Sequence, residues 1–596
     1  MIKLFRFVLF LLVLAHFSTL FSEIIYTDPL DNAKYVSINN SIIIGLDRQI
    51  NPSVKNDNSS VIVTGSKSGT HTGKIILAEN GRKLIFKPDR LFEIDERVTV
   101  IIDIEKHFRG EFRIAKTELS FHTQRSVIKF NKDLIADKNS SSYLFKNDFP
   151  PVPFQFGSIP EITVTNNNPT DGKIFMSNFP FSNIPNTPFL LMLNNNGSVY
   201  TAIRMRDNAA DFKKSDRGHL TYFSDEAEKF FEMDVNYNII DSFYCGNGYS
   251  TDIHELVLLS NSHALLMSYD AQLVDMSAIV TGGNPNARVI GLIIQEIDEN
   301  KNVVFQWRSW DHIPITDARH QDLTSAAIDY VHGNAIEHDN DGNILISSRH
   351  LDEITKISRT TGDIIWRLGG TQNQFSFPND PGKFNYQHGI RRLTNGNIIL
   401  FDNGNFHTPP HSRAVEYSLD ETNKIATMVW QYRNNPDIFG FAMGFAQRLS
   451  NGNTFISWGS TNPSATEVTP DGNIVQEISL PAGVFSYRTF KYDWEGSPVY
   501  IDTLKNILPL KYQLSQNYPN PFNPKTTINF EIPAYTKVNL SIYDYLGRLV
   551  TTLVDKELNF GPYNVEFTSN KLSSGVYFYR LSTESFTETR KMVIVK

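Results

Sequence analysis

A chain of 596 residues is longer than one hydrophobic core organises, so several domains are expected. Charged residues make up 20% and hydrophobic residues 40%, a soluble composition that excludes a largely disordered chain. The net charge of −8 leaves no basic footprint for nucleic acid, and the single cysteine, Cys245, excludes an intrachain disulfide.

The first residues read as a signal peptide over 1–22. Lys3 and Arg6 supply a positive start, and Phe7 to Ala15 form an apolar run too short for a stable membrane anchor. An uncleaved N-terminal anchor is the competing reading. No later stretch reaches the apolar length of a transmembrane helix, so no integral segment is expected once the signal is removed. Cys245 reads as a small buried hydrophobe rather than a nucleophile.

Residues 24–125 alternate as half-buried strands do, in "VSINNSIIIGL", "KLIFKPD", "RVTVIIDI" and "ELSFHT". They predict a β-sandwich resembling the bacterial Ig-like domains of secreted and surface proteins, where it serves as a spacer. Residues 126–158 are polar and then proline-rich ("KNDFPPVPFQFGSIP"), the composition of a linker or strap.

From 159 to 500 a unit repeats: "FLLMLNNNGSVYTAI", "ELVLLSNSHALLMS", "AIEHDNDGNILISS", "IRRLTNGNIILFD" and "AQRLSNGNTFISW". Each is a strand, an Asn/Asp-Gly-type turn and a second strand, and most continue into two more strands. Four antiparallel strands make one propeller blade, so the fold class is all-β with a central β-propeller, expected to have six blades. A second β-sandwich follows over 508–596. Its "NYPNPFNP", "YDYLGRLV", "GVYFYRL" and terminal "KMVIVK" resemble the C-terminal sorting domain of type IX secretion cargo. The resemblance implies handling by that machinery, passage through the outer membrane, and a secreted or cell-surface location.

The repeat serves as a ruler. Eight residues before each turn position stand His254, Asn334, His388 and Gly444, with His332 two residues before Asn334 on the same strand face. Innermost strands line a propeller's channel, so these side chains are expected to converge at one mouth. If the turns are two-residue loops, Asn334 faces Arg349 and His388 faces Asn403. Imidazoles beside a guanidinium and amides suit a tetrahedral oxyanion, with imidazole as nucleophile or proton carrier. Three alternatives stay open. The histidines can be struts between blades. They can ligate zinc or copper, which a neighbouring Arg349 disfavours. Asp339–Gly342 can be a calcium loop, but lacks the closing Glu and reads as a hairpin turn.

At "DIHELVLLSN", "DYVHGNAIEHDNDGNILISSRH", "GDIIWRLGG", "FNYQHGIRRLTNGNIILFDNG", "GFAQRLSNGNTFISWG" and "SYRTFKYDW" the chain resembles the arylsulfotransferases that work without a nucleotide donor. The resemblance implies ping-pong transfer of a sulfuryl group from an aryl sulfate to a phenol, with no cofactor and no metal. It assigns His388 as the nucleophile carrying a sulfohistidine. It assigns His332, Asn334 and Arg349 to the sulfuryl oxygens, His254 to proton transfer, and, with the register above, Asn403 to substrate binding. The chain departs from family members with a disulfide near the site, carries Gly389 after His388, and leaves the later hydroxyl contact open between Ser460 and Thr461. A non-catalytic cell-surface adhesin or glycan-binding propeller is the alternative function. A hydrolase or lyase using the same imidazoles is a third.

Overall fold

The computed structural model describes residues 23–57, 59–104, 116–127, 159–180, 187–205, 207–501, 512–532, 536–558, 561–569, 572–583 and 586–595. The expected signal peptide and nearly all of the expected linker lie outside them.

Among the described residues six mainly antiparallel sheets follow one another between Thr163 and Tyr492. Their innermost strands are Val484–Tyr492, Ala209–Lys214, Leu256–Leu258, Gly333–His338, His388–Arg392 and Phe445–Arg448. Most neighbouring innermost strands touch, and Phe445–Arg448 returns to Val484–Tyr492, which closes the ring of a β-propeller. The closure is double. Val484–Tyr492, last in sequence, pairs with Lys173–Pro180 of the first sheet, while Thr163–Asn166 pairs with Ile474–Ser479 at the outer edge of the last. Joining the two ends of the propeller segment holds the ring closed.

The repeated hairpins differ from the two-residue loops expected. Arg392 pairs with Ile398, and beyond them Leu393 donates to the Asn397 carbonyl, which leaves three loop residues ending in Gly396 at φ +87°. The Asp339–Asn343 and Leu449–Asn453 turns are built the same way, with Gly342 at φ +84° and Gly452 at φ +91°. A turn followed by one left-handed residue is the usual three-residue hairpin, and it moves the register of each pair by one.

The N-terminal sandwich has two four-stranded sheets. In the strand Ile42–Leu46, Ile42 and Ile44 fill the sandwich core while Ile43 faces the propeller, as does Ile85 on the neighbouring strand. Burial on both faces explains an unbroken apolar run where one solvent face would give alternation. Polar contacts complete the junction: Gln306 donates to Asp28 at 2.9 Å, Tyr26 donates to the Gln306 carbonyl at 2.6 Å, and Tyr35 packs on Trp310. Cys245 is buried, and burial pushes its thiol up, as suits a packing residue. The C-terminal sandwich sets the sheet containing Lys525–Ile532 against the one containing Thr536–Asp544, around Ile528, Phe530, Leu540 and Tyr579.

Candidate active site

One end of the ring collects the site, because each innermost strand starts there and brings the loop before it. His388 opens the strand His388–Arg392, His332 directly precedes Gly333–His338, and His254 lies just ahead of Leu256–Leu258. The imidazoles meet: His254 lies 5.4 Å from His332 and 6.0 Å from His388 between ring centroids. Tyr487, from the closing strand, stands 5.4 Å from the His388 ring and 5.7 Å from that of His254.

The partners of His388 set its chemistry. Its Nδ1 lies 2.8 Å from the Gly444 carbonyl. A carbonyl only accepts, so Nδ1 carries the proton and Nε2 keeps its lone pair, 3.5 Å from the Tyr487 hydroxyl. Burial, then the charges of Arg488 and of His254, hold this imidazole well below its ordinary pKa and therefore neutral. A neutral, oriented imidazole is a nucleophile at neutral pH.

The other two histidines each hold a carboxylate. His254 Nδ1 lies 2.5 Å from Asp252 Oδ1, and His332 Nδ1 lies 2.6 Å from Asp329 Oδ2. Such a pair fixes the ring and leaves Nε2 for a substrate atom. Burial lowers the pKa of His332, with Asp329 opposing. Burial alone would raise the Asp329 carboxyl, yet His332 and His350 outweigh it and keep the group below its usual range. His332 adopts φ +47°, a conformation costly for a residue with a Cβ.

Arg349 opens a short 3₁₀ turn, and its backbone N–H donates to the His332 carbonyl at 2.9 Å. Its guanidinium lies 3.9 Å over the Tyr386 ring and donates to the Phe441 carbonyl at 3.0 Å. His350 organises it from behind. His350 Nδ1 is 2.6 Å from the Asp329 carbonyl and must carry the proton, so Nε2 accepts from Arg349 at 3.0 Å. Burial drives the His350 pKa down to about 3, consistent with a ring that stays neutral.

The expected cross-strand pairs do not form, for the loop reason above and because each strand bulges. Gly333 pairs with Ser348 and Ala335 with Ser347, which places Asn334 in a bulge rather than opposite Arg349. His388 pairs with Phe401, with Gly389 in the bulge, and not with Asn403. Both asparagines are fully buried and engaged with backbone. Asn334 donates to the Gln387 carbonyl at 2.8 Å and accepts from the Gly389 N–H at 3.4 Å, clamping the chain on either side of His388. Asn403 donates to the carbonyls of Gly440 and Met443 at 2.6 and 3.0 Å. Of the six residues singled out in the sequence, His254, His332 and His388 bring their rings together, and Arg349 lies beside them through His350. Asn334 and Asn403 hold backbone around them. Of the two candidate hydroxyls, Ser460 accepts from the Ala442 N–H at 3.1 Å.

Sequence reasoning missed Asp252, Asp329, His350 and Tyr487. An Asp two or three residues before each histidine was the visible signal for the first two. Asp329, His332 and His350 could together reach one metal ion. The donor set fits poorly: both His350 nitrogens are engaged, and the Arg349 cation is bonded to one of them. Behind the pocket Arg488 donates to Asp211 at 3.0 Å, Glu255 at 2.9 Å and the Asn334 carbonyl at 2.7 Å. The buried cation thus supports the strand that carries the clamp.

Comparison with known proteins fits this arrangement. The bacterial Ig-like domain family matches residues 22–123 and the secretion system C-terminal sorting domain matches 516–595. The sorting domain marks the chain for secretion or the cell surface. Among the described residues no helix is long and apolar enough to cross a membrane. No curated protein matches the chain. Similar solved structures include a protein of unknown function from Bacteroides caccae, 12% identical, with TM-score 0.35, covering 54% of this chain and 99% of that one. A catalytically inactive virginiamycin B lyase from Staphylococcus aureus is 10% identical, with TM-score 0.30, covering 63% and 97%. PorZ, a surface component of the type IX secretion system of Porphyromonas gingivalis, is 9% identical, with TM-score 0.30, covering 96% and 82%. The family described as Arylsulfotransferase (ASST) matches residues 161–494, more than half of the chain and the whole imidazole-bearing ring, and the chain belongs to that family of sulfotransferase enzymes.

Proposed function

We propose that this sulfotransferase works through a sulfohistidine on His388, moving a sulfuryl group from a phenolic sulfate ester to a second phenol. The observation that carries the proposal is the Nδ1 contact of the buried His388 with the Gly444 carbonyl, which leaves Nε2 unprotonated beside the Tyr487 hydroxyl.

In the first half-reaction Nε2 of His388 attacks sulfur and the S–O(aryl) bond breaks. The departing oxygen takes a proton from His254, whose cationic form Asp252 stabilises. The Arg349 fork, and the His332 ring in the cationic form that Asp329 stabilises, donate to the sulfuryl oxygens as charge redistributes. In the second, His254, now neutral, takes the proton of an incoming phenol, whose oxygen attacks sulfur. The N–S bond breaks and its electron pair returns to Nε2. Atoms and charge balance over the cycle, and no cofactor enters it. In this reading Asn334 contributes by fixing the backbone around the nucleophile.

The test is incubation with 4-nitrophenyl sulfate, with phenol added afterwards, and mass analysis of the peptide containing His388. The expected result is 4-nitrophenol release with a sulfuryl group on that peptide, removed again by phenol. The His388→Ala variant is expected to lose activity by on the order of 10⁴-fold. Release without a labelled peptide, or activity surviving in His388→Ala, overturns the mechanism.

A further inference from the structure

We infer that Phe406 and His320 form a ring-binding lip on this site, and that the chain takes aryl sulfates and phenols whose aromatic system extends beyond one ring. The inference rests on the sulfuryl-transfer reading and names its substrate class.

Three segments reach the catalytic end of the ring beside Arg349. Residues 309–332 and 370–387 lead into the innermost strands of their sheets, and 403–412 link Ile398–Asp402 to Arg413–Asp420. Their side chains make a continuous aromatic path. Arg349 lies on the face of Tyr386, Tyr386 meets Phe406 edge-on at 4.9 Å, and Phe406 stacks on His320 at 3.5 Å with the planes 8° apart. Exposure climbs along it, from 1% at Tyr386 to 45% at Phe406, so the path leads out of the pocket into solvent.

The lip is held rigidly. The buried Asp352 carboxylate lies 3.0 Å from His320 Nε2 with one oxygen and accepts the Tyr386 N–H at 2.8 Å with the other. Gln321 donates to the Tyr386 hydroxyl at 2.7 Å, and the Phe406 N–H donates to Asn385 at 2.8 Å. An aromatic ring supported this firmly, yet left nearly half exposed, contributes little to the core. The part of it that His320 and Tyr386 leave exposed offers preorganised apolar contact to a planar ligand. Arg349 and Phe406 both pack on Tyr386, so an aryl group that leaves a sulfuryl group at Arg349 and reaches Phe406 passes Tyr386, which favours a second fused or linked ring.

The experiment compares kcat/KM for 4-nitrophenyl sulfate and the bicyclic 4-methylumbelliferyl sulfate in the full-length wild type, Phe406→Ala and Phe406→Tyr. The wild type is expected to favour the bicyclic donor. Phe406→Ala is expected to reduce that preference about three- to tenfold, chiefly through KM, and Phe406→Tyr to retain it. An unchanged preference in Phe406→Ala, or equal losses on both donors, overturns the inference and leaves the transfer mechanism standing. Failure of the wild type to release either phenol overturns both.

Discussion

His388 shows how one hydrogen bond sets a side chain's reactivity. Burial, with the Arg488 cation behind it, holds its pKa well below that of an ordinary imidazole, while the bond to the Gly444 carbonyl opposes the shift and fixes the tautomer. Protonation therefore does not silence it in mild acid. The sulfuryl load on His388 after a short pulse of donor is expected not to fall as pH is lowered from 7.5 to about 5.5, a range in which a free imidazole of pKa about 6.5 would lose most of its neutral form. A load falling through pH 6.5 would contradict this. His350 acts through Arg349. His350→Ala is expected to lower kcat/KM by about tenfold or more and to weaken inhibition by inorganic sulfate, while His350→Gln, which keeps an acceptor for the guanidinium, recovers part of both. The converging imidazoles were legible in the sequence because repeat position alone places them. The carboxylates of Asp252 and Asp329 were not, because each reaches its histidine through a local loop conformation that no periodicity encodes.

Between residues and molecule lie the hairpins. The Asn-Gly and Asp-Gly signals located the turns, and the strands on either side followed from them. The same signals misled about register, because a third loop residue and a bulge at Asn334 or Gly389 each shift the pairing. Gly389 has φ +65°, and a Cβ there would meet the Phe445 ring at 2.5 Å. Gly389→Ala is accordingly expected to destabilise the protein by about 1–3 kcal/mol and to displace the neighbouring His388 ring, with a larger loss in kcat than in binding. Denaturant titration beside donor kinetics checks it. Wild-type stability and rate in this variant would mean that the bulge is not required. Asn334, which bonds both sides of that bulge, was read from the sequence as a ligand of substrate. Its buried backbone bonds make it a clamp.

At the scale of the whole chain, three β units and an export address were legible because sheet periodicity and the C-terminal motifs are local properties. The seating of the first sandwich on the ring was not, since it depends on outward-facing residues such as Ile43 and Ile85. That junction buries Asp28, whose carboxyl burial pushes up to about 7, with Asn40, Arg308 and Gln306 opposing and Asp311 adding to the rise. Asp270 on the propeller side is pushed up to about 6 by the same burial. A carboxyl raised in the folded state holds its proton more tightly there than in the unfolded chain, where its pKa is about 4. Its stabilisation is therefore present in acid and is lost as pH rises through 7. Asp28→Asn is expected to narrow the difference in Tm between pH 5 and pH 8, and an unchanged difference would exclude Asp28 as its source.

The strand Val484–Tyr492 completes the first sheet from the far end of the propeller segment and brings Tyr487 and Arg488 with it. Synthesis runs the other way, so the hydroxyl beside the nucleophile and the cation behind it are the last parts of the ring to be made. A fragment ending before Val484 can hold every histidine and still be inert. Reactivity thereby depends on synthesis reaching Tyr492, and the site draws on a strand that carries none of its imidazoles.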